Sequence, residues 1–234
     1  TRMSASAGGV HRSMTRSASS YSRLPTRGSG SPVSVWAMDV TAITRRPRWR
    51  APRAISTGTA DVPLAEKIIA AQNLPDGLRY AAFIPTYTGG CSGVFRLVVK
   101  PGVYSKAPML FIHGDADDYT PIGPCQDYAD KIGKAGTPVE FVVLEGAQHK
   151  FDADDLKRYY VRGATRTKAD CPLEIDIDTL YAYNGTSGAR LQGEAYTALL
   201  KSCGAVGATV EGSHRARDKA AQAAIGFLKK TFAN

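Results

Sequence analysis

The sequence contains no long apolar run, and this absence excludes one class of protein at once. A membrane-spanning helix needs about 20 consecutive apolar residues, and the chain of 234 residues has none of that kind, so we expect no transmembrane segment. The opening residues also lack the apolar core of a secretory signal. The four cysteines form no C-x-x-C pair and have no histidine at metal-ligand spacing, which argues against a zinc site.

Lysine is missing from the first 60 residues, which also contain a single acidic residue, Asp39. This segment holds ten arginines and therefore the whole net charge of +9, because residues 61–234 carry twenty basic and twenty acidic side chains. A basic arm can bind nucleic acid by releasing counterions. The remaining three quarters of the chain have no such excess, so we expect no nucleic-acid partner. The alternative, a basic-arm nucleic-acid-binding protein, predicts DNA binding that added salt abolishes.

Hydrophobic periodicity is also missing from residues 1–60. The segment is rich in Arg and Ser and follows neither a helical nor a strand period, apart from a hint of a strand at 33–40. Such a composition buries too little apolar surface to offset its chain entropy, so we predict a disordered segment. An excess of Arg, Ser, Pro and Ala without Lys is also typical of a GC-rich gene translated in a shifted frame, and that hypothesis stays open.

From residue 61 onwards the pattern becomes regular. Short apolar runs bounded by Gly and Pro predict strands over 80–84, 109–113 and 139–144. Helical spacing predicts helices over 64–71, 124–134, 190–201 and 217–232. In the last helix the predicted core-facing stripe consists of Ala221, Ile225, Leu228 and Phe232. Residues 152–183 are predicted to be polar and irregular. The alternation of strand and helix favours an α/β fold with a parallel sheet.

Two loops that follow predicted strands carry the candidate chemistry. Residues 113–121 have the pattern H-G-x-x-D-x-x-x-P, and residues 146–151 have the pattern G-x-x-H-x-F. Ligand-handling residues of open α/β sheets lie at the carboxyl ends of the strands. Together, at this spacing, the two motifs resemble the final third of dienelactone hydrolases and related α/β-hydrolase esterases. The resemblance extends over about Leu64–Asn234.

This resemblance implies a partial α/β-hydrolase fold, with 61–234 as an incomplete hydrolase domain and with Asp117 and His149 in a catalytic triad. Asp117 is preferred to Asp115 and Asp118 because it lies three residues past the glycine of H-G-x-x-D. His149 is the expected general base, and the order acid before histidine is that of the fold. A buried carboxylate would fix the imidazole tautomer and stabilise the imidazolium.

The sequence lacks the G-x-S-x-G turn that normally carries the nucleophile of this fold. The nearest match is the run 54–58, which contains Ser56. It would follow a strand over 48–53, but the charges and the proline of that segment do not suit a central buried strand. Ser56 is therefore a weak candidate, and the sequence does not identify the nucleophile.

The other polar residues near these motifs have structural interpretations. Composition allows either two disulfides or free buried thiols. Cys91 follows the wrong strand for a nucleophile of this fold, so a structural role is preferred, with a bridge to Cys125 as one option. His113 is predicted to pack or hydrogen-bond under its loop, and Tyr119 either lines the mouth of the site or packs.

The sequence thus predicts a hydrolase of ester or lactone bonds that acts on a small molecule and needs neither a metal nor an organic cofactor. The alternative within the same family is a catalytically inactive remnant that has lost its early strands. Related sequences with cysteines placed like Cys171 and Cys203 point to export into the periplasm or out of the cell.

Overall fold

A parallel sheet of four strands forms the centre of the computed structural model, which describes residues 53–58, 65–71, 79–91, 96–153 and 155–233. The strands lie side by side in chain order: β1 (Arg53–Gly58), β2 (Arg79–Pro85), β3 (Met109–Gly114) and β4 (Val139–Leu144). All six residues of β3 are buried, as expected of a parallel strand that is covered on both faces. The strands predicted from 80, 109 and 139 are confirmed.

Helices cover both faces of this sheet. Met109 and Phe111 of β3 pack with α2 (Ile122–Lys134), whereas Leu110 and Ile112, which point to the other face, pack with α4 (His214–Phe232). The short α1 (Glu66–Ala71) adds its buried Ile69 to the α2 side. The α/β class is therefore as predicted, and the two faces alternate along β3 with the period of two that a strand imposes.

The core-facing stripe predicted for the last helix is correct only at Leu228 and wrong at its other three residues. Ile225 is 54% exposed and Phe232 is 44% exposed, whereas Ala216, Ala220 and Phe227 are buried against the sheet. The physical reason is packing distance, because two small alanines let the helix lie close to the strands. Of the predicted stripe, Leu228 is partly buried and packs against this core, whereas Ala221, Ile225 and Phe232 are exposed.

The segment predicted to be irregular contains three strands. β5 (Tyr159–Thr167) pairs antiparallel with β9 (Gly204–Val210). β6 (Leu173–Ile175), β7 (Ala182–Asn184) and β8 (Arg190–Leu191) form a separate antiparallel sheet. The helix predicted from residue 190 begins later, as α3 (Gly193–Cys203), because Arg190 and Leu191 pair with β7.

The predicted disordered segment 1–60 lies outside the described residues, as does its basic arm, except for β1. Because β1 occupies 53–58 and pairs with β2, the sheet begins before residue 61 and has four described strands. Ser56 lies within this strand, not after a strand over 48–53 as its candidacy required. In the described part of the chain, every helix is too short or too polar to cross a bilayer.

Two disulfide bonds cross-link segments that are distant in sequence. Cys91 is bonded to Cys125 of α2, which was one of the options left by the sequence, and Cys171 is bonded to Cys203 at the end of α3. All four cysteines of the chain are therefore oxidised. The bonds span 34 and 32 residues, and loop closure of that length stabilises a fold by about 4 kcal/mol in the chain-entropy treatment.

Candidate active site

The candidate site lies at the edge of the sheet where β3 and β4 end side by side, with Gly114 paired to Leu144. The two loops that follow are in direct contact, because the N–H of Ala116 donates to the carbonyl oxygen of Ala147 at 3.2 Å. A Cβ atom on Gly114 would lie 2.1 Å from that same oxygen. The glycine of the H-G-x-x-D motif is thus required by a close approach of backbone to backbone.

The structure brings Asp117 and His149 together in these loops. Nδ1 of His149 lies 2.9 Å from Oδ2 of Asp117. Asp117 is 4% exposed and His149 is 7% exposed, so the contact is largely shielded from water. No described residue makes a hydrogen bond to Nε2, the other ring nitrogen of His149. An imidazole held at Nδ1 by a carboxylate keeps its proton there and can accept another at Nε2.

Asp117 is held by three further donors. Its Oδ1 accepts from the backbone N–H groups of Tyr119 and Thr120, both at 2.9 Å, and its Oδ2 accepts from the hydroxyl of Thr120 at 2.9 Å. Burial by itself raises the pKa of Asp117, but the hydrogen bond and charge of His149, with Thr120 and His113, outweigh burial and lower the pKa overall. The group is therefore an ionised acceptor. Thr120, which sequence reasoning missed, lies three residues after Asp117, and both its N–H and its hydroxyl donate to that carboxylate.

The neighbouring aspartates are engaged elsewhere. Oδ1 of Asp115 accepts from the backbone N–H of Gly146 at 2.6 Å. The carboxylate of Asp118 accepts from the backbone N–H and the hydroxyl of Thr209, at 2.7 and 2.9 Å. Of the three aspartates in this loop, Asp117 is thus the one that reaches the imidazole of His149.

His113 lies under the loop, as predicted. It is fully buried, and its Nε2 donates to the carbonyl oxygen of Thr120 at 2.5 Å. Burial lowers the pKa of His113, against the opposing effect of the Asp117 carboxylate 3.7 Å away. A neutral ring that donates from Nε2 carries no proton on Nδ1, and Nδ1 has no partner in the described part of the chain. His113 therefore supports the loop and does not face the reacting side.

Two tyrosine rings enclose the imidazole of His149. The rings of Tyr87 and Tyr119 each stand edge-on to it, with centroids 4.7 Å away. The hydroxyl of Tyr87 donates to Asp152 at 3.1 Å. Burial and the charge of Asp152 raise the pKa of Tyr87, so the phenol stays protonated. The sequence offered Tyr119 but not Tyr87; the latter has a φ of +38° and lies just past β2, at the edge where the other candidates gather.

Ser56 lies at the wrong depth in the sheet to meet this histidine. Strand pairing places Ser56 beside Phe83, and Phe83 beside Met109 at the start of β3. β3 runs five residues further before it ends at Gly114, which at about 3.3 Å per residue amounts to roughly 16 Å. The thiols are excluded as well, because all four cysteines form disulfides.

The described residues form no metal centre, since no group of three or more His, Cys, Asp or Glu side chains among them could hold an ion. Asp117 and His149 bind each other, and Asp115 and Asp118 bind backbone groups of distant segments. The imidazole of His149, held at Nδ1 by Asp117, can therefore exchange a proton with a group that lies at its Nε2.

Comparisons with known proteins add a likeness of limited extent. No family model matches the sequence, and no curated protein matches it significantly. Among solved structures, the chain is similar to the apo form of Thermogutta terrifontis esterase 2, at 23% identity and a TM-score of 0.28, over 33% of this chain and 35% of that one. It is also similar to esterase PE8, at 24% identity and a TM-score of 0.29, over 43% and 44% of the two chains.

A third similar structure is an alpha-beta serine hydrolase homologue from Coxiella burnetii, at 25% identity and a TM-score of 0.29, over 42% of this chain and 41% of that one. The chain thus covers less than half the length of each of these three structures. The three proteins are named as esterases and a serine hydrolase homologue. Such low TM-scores support no conclusion about fold or chemistry, and the resemblance to dienelactone hydrolases stays a prediction.

Proposed function

We propose that the protein is a hydrolase of ester or lactone bonds, similar in mechanism to dienelactone hydrolases, with His149 as general base and Asp117 as its orienting acid. The observation that carries the proposal is the 2.9 Å contact between Nδ1 of His149 and the buried carboxylate of Asp117 at the carboxyl end of a parallel sheet. This is the geometry that acyl transfer needs for its base.

In the proposed reaction, a hydroxyl nucleophile attacks the carbonyl carbon of the substrate and gives its proton to Nε2 of His149. The imidazolium formed is stabilised by the ionised Asp117. Collapse of the tetrahedral intermediate breaks the ester bond, and the leaving alkoxide takes the proton from His149. Water then attacks the acyl-enzyme with the same base, which releases the acid and restores the nucleophile.

The nucleophile in this proposal is a hydroxyl and not a thiol, because every cysteine is disulfide-bonded. It is not Ser56, which lies roughly 16 Å below the rim by strand pairing. The exclusion of Ser56 and of the four thiols also favours the alternative, a catalytically inactive relative. Both share the fold, so only turnover separates them.

The test is hydrolysis of a simple aryl acetate by the full chain and by two histidine variants. We expect H149Q to abolish turnover, because the glutamine amide that replaces the imidazole cannot accept the proton of the nucleophile. H214Q is the matched control, since the His214 side chain is 66% exposed and belongs to the start of α4. Equal turnover in the wild type and H149Q would refute the assignment of His149, and no turnover in the wild type would favour the inactive relative.

A further inference from the structure

The end of β9 joins the two loops that flank the acid–base pair. On one side, Oδ1 and Oδ2 of Asp118 accept from the backbone N–H and the hydroxyl of Thr209, at 2.7 and 2.9 Å. On the other side, the N–H of Glu211 donates to the carbonyl oxygen of His149 at 3.1 Å, and Val210 pairs with His149 in a parallel bridge. One short stretch of strand thus binds the aspartate loop and the histidine loop at once.

The attachment to the histidine loop continues beyond β9. The N–H of Gly212 donates to the carbonyl oxygen of Leu156, and the N–H of Ser213 donates to that of Phe151, both at 2.8 Å. Phe151 is itself 1% exposed in the core that α4 covers. The backbone that carries His149 is therefore held by β9 and by the segment that leads into α4.

These contacts close a ring around the pair. Asp117 binds the side chain of His149, while Asp118, the next residue, binds β9, which binds the backbone of His149. The position of the imidazole relative to the carboxylate is thus fixed by two independent connections. The link between Asp118 and Thr209 connects segments that are 91 residues apart in sequence. A carboxylate suits this link, because hydrogen bonds to a carboxylate are stronger than those between neutral groups.

We propose that Asp118 is a positioning residue of this site, which acts through Thr209 and β9 to hold His149 against Asp117. The inference rests on the proposed function for its catalytic consequence. Asp118 itself does not contact the imidazole; its carboxylate binds Thr209. Small displacements in such a site are costly, since a misplacement of about 1 Å can reduce a rate roughly 100-fold.

The test follows the tautomer of His149, which does not depend on turnover. Nitrogen NMR chemical shifts of the imidazole, recorded in alkaline solution on the full chain and assigned with H149Q, report which ring nitrogen carries the proton. We expect the proton on Nδ1 in the wild type. In D118A we expect a mixture of both tautomers, together with a ten- to hundredfold lower kcat for aryl acetate and an unchanged KM.

Control variants keep the test decisive. D218N removes an exposed carboxylate of α4 and should leave both the shifts and the turnover as in the wild type. If D118A does not fold, T209V, which removes one of the two donors, carries the test with a smaller change in the same direction. Wild-type shifts in folded D118A or in T209V would overturn the inference. A tautomer change in D118A combined with an inactive wild type would refute the proposed function and leave the positioning role standing.

Discussion

The two substitutions Asp117→Asn and Asp117→Ala should differ strongly in stability. The carboxylate accepts four hydrogen bonds, two at Oδ1 from the N–H groups of Tyr119 and Thr120, and two at Oδ2 from the Thr120 hydroxyl and His149. Asparagine keeps the Oδ1 acceptor and turns Oδ2 into an amide that His149 can meet with its other tautomer. Alanine leaves three of these donors without an acceptor, namely the two N–H groups and the imidazole, whereas the Thr120 hydroxyl can turn to the carbonyl oxygen of Tyr87 at 3.2 Å.

The magnitudes follow from these counts. Each donor left without a partner costs about 1–3 kcal/mol, so we expect the loss of three acceptors in D117A to lower the free energy of unfolding by at least about 3 kcal/mol. D117N, which loses one charge-assisted bond, should cost about 1–3 kcal/mol. Its turnover should nevertheless fall by roughly 10⁴-fold, because the wrong tautomer places a proton on Nε2.

Urea unfolding of the two variants and the wild type, followed by circular dichroism, measures the difference. D218N again provides the matched loss of a carboxylate at an exposed position. If D117A were no less stable than D117N, the carboxylate would not be the acceptor of these four bonds, and the reasoning would be refuted.

Three further predictions concern the surroundings of the pair. G114A should lower the thermal unfolding temperature and the turnover, because its Cβ overlaps a backbone oxygen of the histidine loop; unchanged values would contradict that close approach. The fold lowers the pKa of Asp117 below its ordinary 3.8. The contribution of the ionised carboxylate to the free energy of unfolding is therefore fully present above that value and is lost as pH falls through the folded pKa. Acid titration should destabilise the wild type more steeply than D117N, which has no carboxylate at this position. The double substitution C171A/C203A should cost about 4 kcal/mol in urea, and a cost near zero would contradict the bond.

The elements closest to the site were predictable because their signals are local. β3 is an apolar run between Pro108 and Gly114, β4 is a mostly apolar run that follows Pro138, and α2 has helical spacing up to Gly136. The choice of Asp117 among three aspartates came from the resemblance to dienelactone hydrolases, through its place three residues past the glycine of H-G-x-x-D. The same spacing explains why the choice agrees with the contact to His149, since the three residues from Gly114 to Asp117 form the turn beside the histidine loop.

The remaining elements could not be predicted because their partners are distant in sequence. β5 shows no alternation of apolar and polar residues, since most of its side chains are exposed, and it becomes a strand by pairing with β9. The bond between Asp118 and Thr209 spans 91 residues, so no local pattern announces it. The face of α4 was misassigned because periodicity weighs large apolar side chains, whereas the sheet accepts the small Ala216 and Ala220.

Covalent capture tests the central claim, that Asp117 and His149 together activate a nucleophile. A fluorophosphonate probe forms a bond to an activated hydroxyl with loss of fluoride, and peptide mapping then identifies the labelled residue. We predict one labelled hydroxyl other than Ser56 in the wild type and in H214Q, with labelling suppressed in H149Q and D117N. Equal labelling in all four proteins, or none in the wild type, would contradict the account.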